Sequence, residues 1–180
     1  MSDQGRQGAT ALAELFETHY ERVVRYIAVR IGHREQAEEM ASEVFLRALE
    51  RVDSFQWRGI PMQAWLFRIA HNLAVDHLRG MSLRKSAPME EADFVAARDN
   101  TESEVLQTLQ REELLRAMDS LTPAQREVVA LRFFGGLTSA ETAEVVHRSN
   151  GAVRELQSTA LKTLRSILSA QRQRALELEG

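Results

Sequence analysis

The sequence predicts an all-α protein that consists of two small helical domains joined by a flexible linker. Apolar residues recur at three- and four-residue steps over most of the chain, which is the helical period. Only three prolines and nine glycines interrupt the 180 residues. A polar, acidic stretch near the middle lacks this period, and it is too long to connect two elements of one compact domain. We therefore place a domain boundary in that stretch.

The first domain is predicted over residues 11–82, after a polar start (1–9) that is expected to be disordered. Helices are predicted over 11–31, 37–52 and 61–79, with Pro61 at the first helical position of the third. The second helix has a core-facing stripe of Ala37, Met40, Ala41, Val44, Ala48, Leu49 and Val52.

Two surfaces of this domain have both a simple and a functional interpretation. The polar face of the second helix carries the apolar Leu46 among mostly charged residues, which fits a solvated surface as well as a docking surface. On the third helix Arg68, Asn72, Asp76 and Arg79 recur on one face. Asn can hydrogen-bond a base edge and Arg can bind phosphate, although ordinary surface polarity also fits.

The predicted linker covers residues 83–103, the second domain 104–170, and a polar tail that is expected to fray 171–180. After a helix over 104–120, Thr122 caps a helix that stops at Gly135–Gly136. Thr138 and Glu141 fit a capping box. A short helix follows, and after a break at 147–151 a second helix begins, capped by Ser149 or Asn150. This spacing predicts a helix-turn-helix, and a generic helical hairpin also fits it.

Composition excludes several classes of function. The chain has no cysteine, which excludes disulfides and cysteine-ligated zinc. It lacks metal-ligand spacings and a glycine-rich phosphate loop, so we expect no enzyme, cofactor or metal. No apolar run is long enough for a membrane span, and a cytoplasmic location is expected. The net charge is −3, because residues 86–120 carry −6 and the two ends are weakly basic. Each end alone should bind DNA weakly.

Two blocks together carry a family resemblance. EQAEEMASEVFLRALERVDSF and AWLFRIAHNLAVDHLR resemble region two of the bacterial extracytoplasmic-function (ECF) sigma factors of the sigma-70 family. LTPAQREVVALRFFGGLTSAETAEVV and GAVRELQSTALKTLR resemble their region four. The resemblance covers about residues 11–168. It implies a dissociable subunit, without catalysis of its own, that positions RNA polymerase at promoters and helps to open them.

The resemblance also implies three sets of site residues. The set for binding the polymerase core is Glu38, Glu39, Ser42, Glu43, Phe45, Leu46 and Arg47. The minus-ten set is Trp57, Arg58, Arg68, Asn72, Asp76 and Arg79, with Asn72 near a flipped base and Arg84 as a further phosphate contact. The minus-thirty-five set is Ser149, Asn150, Arg154, Glu155, Ser158, Thr159 and Lys162.

The sequence departs from the family pattern at four of the matched positions. Glu39 stands where the family has Asp, and Ser42 where it has Gln, which implies weaker or shifted core binding. Met62 replaces an aromatic residue, and Thr159 replaces a basic residue of many relatives.

The partners implied by the resemblance are the clamp helices of the largest polymerase subunit, the flap of the second largest, promoter DNA and an anti-sigma factor. The main alternative is a stand-alone helix-turn-helix regulator, which would bind DNA tightly as a dimer without polymerase. A protein-binding helical adaptor is a third interpretation. The sequence is compatible with domains that are packed together and with domains that are splayed apart.

Overall fold

A computed structural model describes residues 3–55, 59–84 and 102–178 of the chain. Every regular element in these ranges is helical, which confirms the all-α prediction. The α-helices are α1 (Asp3–Ile31), α2 (Arg34–Arg51), α3 (Met62–Leu83), α4 (Glu102–Met118), α5 (Pro123–Val129), α6 (Ser139–Val146) and α7 (Asn150–Leu178). A 3-10 turn (Val52–Ser54) follows α2, and a π-helical turn (Ala130–Phe134) follows α5. Among the described residues no helix has the length and apolar character that crossing a membrane requires.

The helices α1, α2 and α3 pack around one apolar core. Its fully buried members include Val23, Val24, Ile27, Ala37, Ala41, Val44, Leu66, Phe67 and Ala70. The predicted stripe of α2 is confirmed at most positions, but Leu49 is exposed. The stripe is therefore wider than the surface that α1 and α3 cover, and burying it fully would need a further partner.

Both ends of the described chain are more helical than the sequence predicts. The first helix begins at Asp3, although residues 1–9 were expected to be disordered. Gly8 lets α1 approach the end of α2, because a Cβ there would lie 2.6 Å from Cγ2 of Val52. The last helix continues to Leu178 instead of fraying after residue 170. Its final turns contain good helix formers and no glycine or proline up to that point.

Local sequence signals predict the starts of α5, α6 and α7 correctly, and the start of α3 to within one residue. Thr122 with Gln125 and Thr138 with Glu141 form complete capping boxes, in which each threonine accepts a backbone N–H and each longer side chain returns to the cap. Pro61 is the residue before the first turn of α3, one position earlier than predicted. Ser149 is the residue that caps α7, because its Oγ accepts the N–H of Ala152 at 3.1 Å.

The first three helices also pack directly against α5, α6 and the π-helical turn. Leu131, Leu137 and Val145 are fully buried in the same apolar cluster as Phe67 of α3 and Tyr26 of α1. The predicted linker (83–103) lies mostly outside the described residues, which resume at 102. The helices before and after this segment share one apolar core.

Candidate polymerase and promoter interfaces

The predicted polymerase-binding face of α2 is partly open and partly paired within the protein. Glu39, Ser42 and Leu46 are exposed. The carboxylate of Glu43 lies 2.6 Å from Arg47 Nε, and that of Glu38 lies 3.0 Å from Arg34 Nε. A polymerase contact to either carboxylate would therefore compete with an existing ion pair that is screened by water and weak on its own.

Two residues of the predicted face have partners within the protein. Phe45 is buried, with its ring edge-on to Phe16 at a centroid distance of 5.0 Å, so it supports the surface from beneath. Ser42 donates a hydrogen bond from Oγ to the carbonyl of Glu38 at 3.1 Å, one turn earlier. The hydroxyl is therefore satisfied by its own helix, and it reaches outward less than the family's glutamine would.

An apolar groove runs beside this face, between the start of α1 and α2. Phe16, Leu46 and Leu49 border it, and about half of each side chain is exposed. Exposed apolar side chains that cluster in this way are uncommon on monomers and favour contact with another protein. The groove contains Leu49, which the helical period alone assigned to the core.

The predicted minus-ten face of α3 is split into a free part and a tethered part. Asn72, Asp76 and Arg79 are exposed, and Arg79 lies 3.9 Å from Asp76. Arg68 is different, because its Nη2 donates to the backbone carbonyl of Glu144 on α6 at 3.0 Å. The carboxylate of Glu144 lies 3.7 Å from the same nitrogen. Trp57 and Arg58, the loop members of the minus-ten set, lie outside the described residues, and Arg84 is exposed at the end of α3.

The predicted minus-thirty-five face lies on the first turns of α7. Between α6 and α7 the chain turns at His147, whose φ of 53° is in the left-handed region and ends α6. Asn150, Arg154, Glu155, Ser158 and Lys162 are exposed along α7. The hydroxyl of Thr159 donates to the carbonyl of Glu155 at 3.0 Å and accepts from Gln125 Nε2 at 3.1 Å. Thr159 therefore has local partners, whereas its charged neighbours point to solvent.

A buried polar cluster lies between the two halves and was not predicted from the sequence. It consists of Tyr26 and Arg30 on α1, His71 on α3 and Glu127 on α5, and we call it the Glu127 cluster. One carboxylate oxygen of Glu127 accepts from the Tyr26 hydroxyl at 2.5 Å and lies 2.9 Å from His71 Nδ1. The other oxygen lies 2.5 Å from Arg30 Nε. The only signal was an acidic residue directly before the apolar run Val128–Val129, where periodicity predicts core.

Electrostatics keep this cluster charged although it is buried. Burial alone would raise the pKa of the Glu127 carboxyl, but the hydrogen bond from His71 and the charge of Arg30 outweigh burial and lower it. Burial and the negative charge of Glu127 raise the pKa of Tyr26 well above its usual range. At neutral pH, Glu127 is therefore an anion and Tyr26 a neutral donor.

A second polar chain crosses the same boundary near the surface. Arg22 of α1 donates from Nε to the carbonyl of Gly135 at 2.9 Å and from Nη2 to that of Gly136 at 2.7 Å. Gln63 of α3 donates to Glu141 of α6, which is the residue that also closes the capping box at Thr138. The start of the helix-turn-helix is therefore fixed by its own cap and by the first three helices.

Comparisons with known proteins match both halves of the chain. The family model described as Sigma-70 region 2 matches residues 15–83, and the one described as Sigma-70, region 4 matches residues 117–166. The ECF RNA polymerase sigma factor SigD of Mycobacterium tuberculosis is 31% identical over 165 residues, which are 89% of this chain and 78% of SigD. This chain belongs to the ECF sigma factors.

A further relative agrees with this assignment, and a solved structure agrees with the fold. The ECF sigma factor BldN of Streptomyces coelicolor is 39% identical over 161 residues, and the match spans 89% of this sigma factor but 61% of BldN. The structure of the sigma factor RpoE in complex with the anti-sigma factor NepR from Bartonella quintana has a TM-score of 0.69 at 18% identity. It covers 87% of this chain and 96% of RpoE, and it supports the fold.

The two matched regions of this sigma factor meet at the Glu127 cluster. Tyr26, Arg30 and His71 lie within the region 2 match, and Glu127 lies within the region 4 match. The predicted polymerase-binding and minus-ten sets fall in the first match, and the minus-thirty-five set falls in the second.

Proposed function

We propose that this sigma factor binds the RNA polymerase core and directs it to promoters that carry both a minus-ten and a minus-thirty-five element. The observation that supports this most strongly is the presence of two exposed polar helix faces in one chain, one in each matched region. On this proposal α3 reads the minus-ten element and α7 enters the major groove of the minus-thirty-five element.

In this proposal α2 binds the clamp helices of the largest polymerase subunit, and the region 4 half contacts the flap of the second largest. Glu39, Ser42 and Leu46 are the exposed members of the core-binding set, with Phe45 as support beneath them. The charge distribution favours dependence on polymerase, because the two ends of the chain are only weakly basic. Few neutralised phosphates give weak binding to DNA alone. The site of action is then the cytoplasm, where transcription takes place.

We also propose an anti-sigma factor as a partner, and the apolar groove of Phe16, Leu46 and Leu49 is a surface that such a partner would cover. RpoE, which has a similar fold, was solved in complex with the anti-sigma factor NepR. A protein that covers this groove would also cover part of the α2 face, so it would compete with polymerase.

Run-off transcription from a promoter library tests the proposal, with purified core polymerase in the presence and absence of the protein. We expect transcripts with defined starts only when the protein is present. A tight complex with core that yields no transcripts would instead point to the departures at Glu39 and Ser42. Tight binding to DNA as a dimer, without any binding to core, would overturn the proposal in favour of a stand-alone regulator.

A further inference from the structure

The interface between the two matched regions is built like the inside of a domain. Leu131 and Leu137 from the region 4 side are almost completely buried in the core of α1, α2 and α3. The Glu127 cluster lies beside them, and the residue Glu127 is 6% exposed. A buried carboxylate is costly unless it is paired, and all partners given above for Glu127 come from the other region. Separating the regions would therefore remove these partners together.

The packed arrangement does not match the geometry of a promoter, if the proposed function is right. The helix α6 packs on both α3 and α7, so the two reading helices are separated by one helix layer. Two interhelical spacings amount to about 20 Å. Elements named minus ten and minus thirty-five lie about 25 base pairs apart, which is about 85 Å of B-DNA. Closed molecules therefore cannot place both helices on one promoter.

The closed form also uses a candidate DNA contact as an internal one. Arg68 of the minus-ten face is held by the backbone and side chain of Glu144. We propose that the Glu127 cluster is an interdomain latch, which keeps the free sigma factor closed and must break before both promoter elements are read. Polymerase core would then bind the open form, and its apparent affinity would be reduced by the fraction of molecules that are closed.

The distance between two labels tests the latch without DNA or polymerase. Because the chain has no cysteine, Glu35→Cys on α2 and Ser166→Cys on α7 introduce unique labelling sites at exposed positions outside the proposed site residues. Double electron–electron resonance should give one short, narrow distance for the otherwise unchanged protein. Glu127→Gln keeps the shape of the side chain and removes its charge, and we expect a longer and broader distribution.

Glu144→Gln is the matched control. Its side chain is 54% exposed, and Arg68 keeps its hydrogen bond to the backbone carbonyl of the same residue. The distance should remain that of the closed form. Circular dichroism shows whether each variant retains its helices. If Glu127→Gln loses helix, Tyr26→Phe decides, because it removes one hydrogen bond to Glu127 and keeps the buried ring.

The outcomes separate the latch from the proposed function. Folded Glu127→Gln and Tyr26→Phe proteins that keep the short distance would overturn the latch, and so would a protein without these changes that gives a broad distribution. A longer distance together with tighter core binding by Glu127→Gln supports both proposals. If the distance lengthens but neither protein binds core, the latch stands and the proposed function fails.

Discussion

The two helices proposed to read DNA are presented to solvent in different ways. On α7 the charged members of the minus-thirty-five set are exposed, and the hydrogen bonds of the turn before it hold the helix in place. On α3 one member of the minus-ten set, Arg68, is bound to α6, while Asn72 remains exposed. The face on α7 is thus available in the packed molecule, and that on α3 is available only in part. The difference indicates that region 2 gains more from opening than region 4 does.

The largest expected effect is at the free part of α3. Asn72→Ala should reduce run-off transcription about 100-fold at every promoter, because unstacking a base costs a few kcal/mol that its pocket must return. A template that is mismatched at the minus-ten element should restore most of the activity, since the base is already unpaired. Ser82→Ala, exposed on the same helix, is the control. Equal transcription by the Asn72 variant on a fully paired template would remove this residue from the minus-ten set.

A smaller effect is expected on α7. Arg154→Ala should reduce transcription about tenfold, the equivalent of one base contact, and only at promoters that depend on the minus-thirty-five element. The control is Arg172→Ala. Arg172 is exposed on the same helix beyond the region 4 match, so this substitution should have no effect on transcription. Promoter titrations at two salt concentrations distinguish lost base reading from lost phosphate contact. Identical losses for both arginines would mean that the contact is only electrostatic.

The two capping boxes allow a comparison of stability. Thr138→Ala and Thr122→Ala each remove an N-cap hydrogen bond and should each lower the free energy of unfolding by about 1 kcal/mol. The Thr138 change should also loosen Glu141, which accepts from Gln63 across the domain boundary. Thermal unfolding gives the stability. The distance between the labels at positions 35 and 166 should lengthen for Thr138→Ala but not for Thr122→Ala. If both variants give the same label distance, the cap at Thr138 does not support the interface between the two halves.

The smallest effect is a dependence of stability on pH. Burial, together with the charge of Arg22, lowers the pKa of His19, whose Nε2 lies 2.8 Å from Arg22 Nη1 and 2.9 Å from Gln63 Oε1. Glu141, beyond Gln63, offsets part of this lowering. The unfolded chain should therefore take up a proton before the folded protein does, and the folded protein should lose stability as pH falls below about 6.5. Glu127 adds a similar loss only at more acid pH, below the usual range of a glutamate carboxyl.

Thermal unfolding between pH 8 and pH 5.5 measures this dependence, and His19→Gln should remove it. A dependence that survives in His19→Gln would assign the effect to another group.

Local features of the fold could be read from the sequence because they depend on neighbours along the chain. The helical period, the capping threonines and the glycines that end the π-helical turn after α5 all act within a few residues. The exposed face of α7 follows in the same way, since its buried stripe of Val153, Ala160 and Leu164 fixes which side remains open.

Features that depend on packing between distant segments were missed. Leu49 fits the core period but is exposed, because none of the described residues covers it. Glu127 is a charged residue beside an apolar run, and its burial depends on Arg30 and His71, far away in the chain, which pair with it. No local sequence pattern brings Glu127, Arg30 and His71 together. The extent to which Arg68 is exposed likewise depends on where α6 packs.

Gly135 and Gly136 lie where the region 2 and region 4 halves meet, and they limit how freely one half could be replaced by that of a related protein. A Cβ at Gly135 would lie 2.9 Å from the Phe67 ring, and one at Gly136 would clash with the Arg22 guanidinium. A chimera that joins this region 2 to the region 4 of a paralogue would keep each half's own helices. It would lose the fit between these surfaces unless the paralogue also had small residues there. The two halves are therefore matched components and not interchangeable modules.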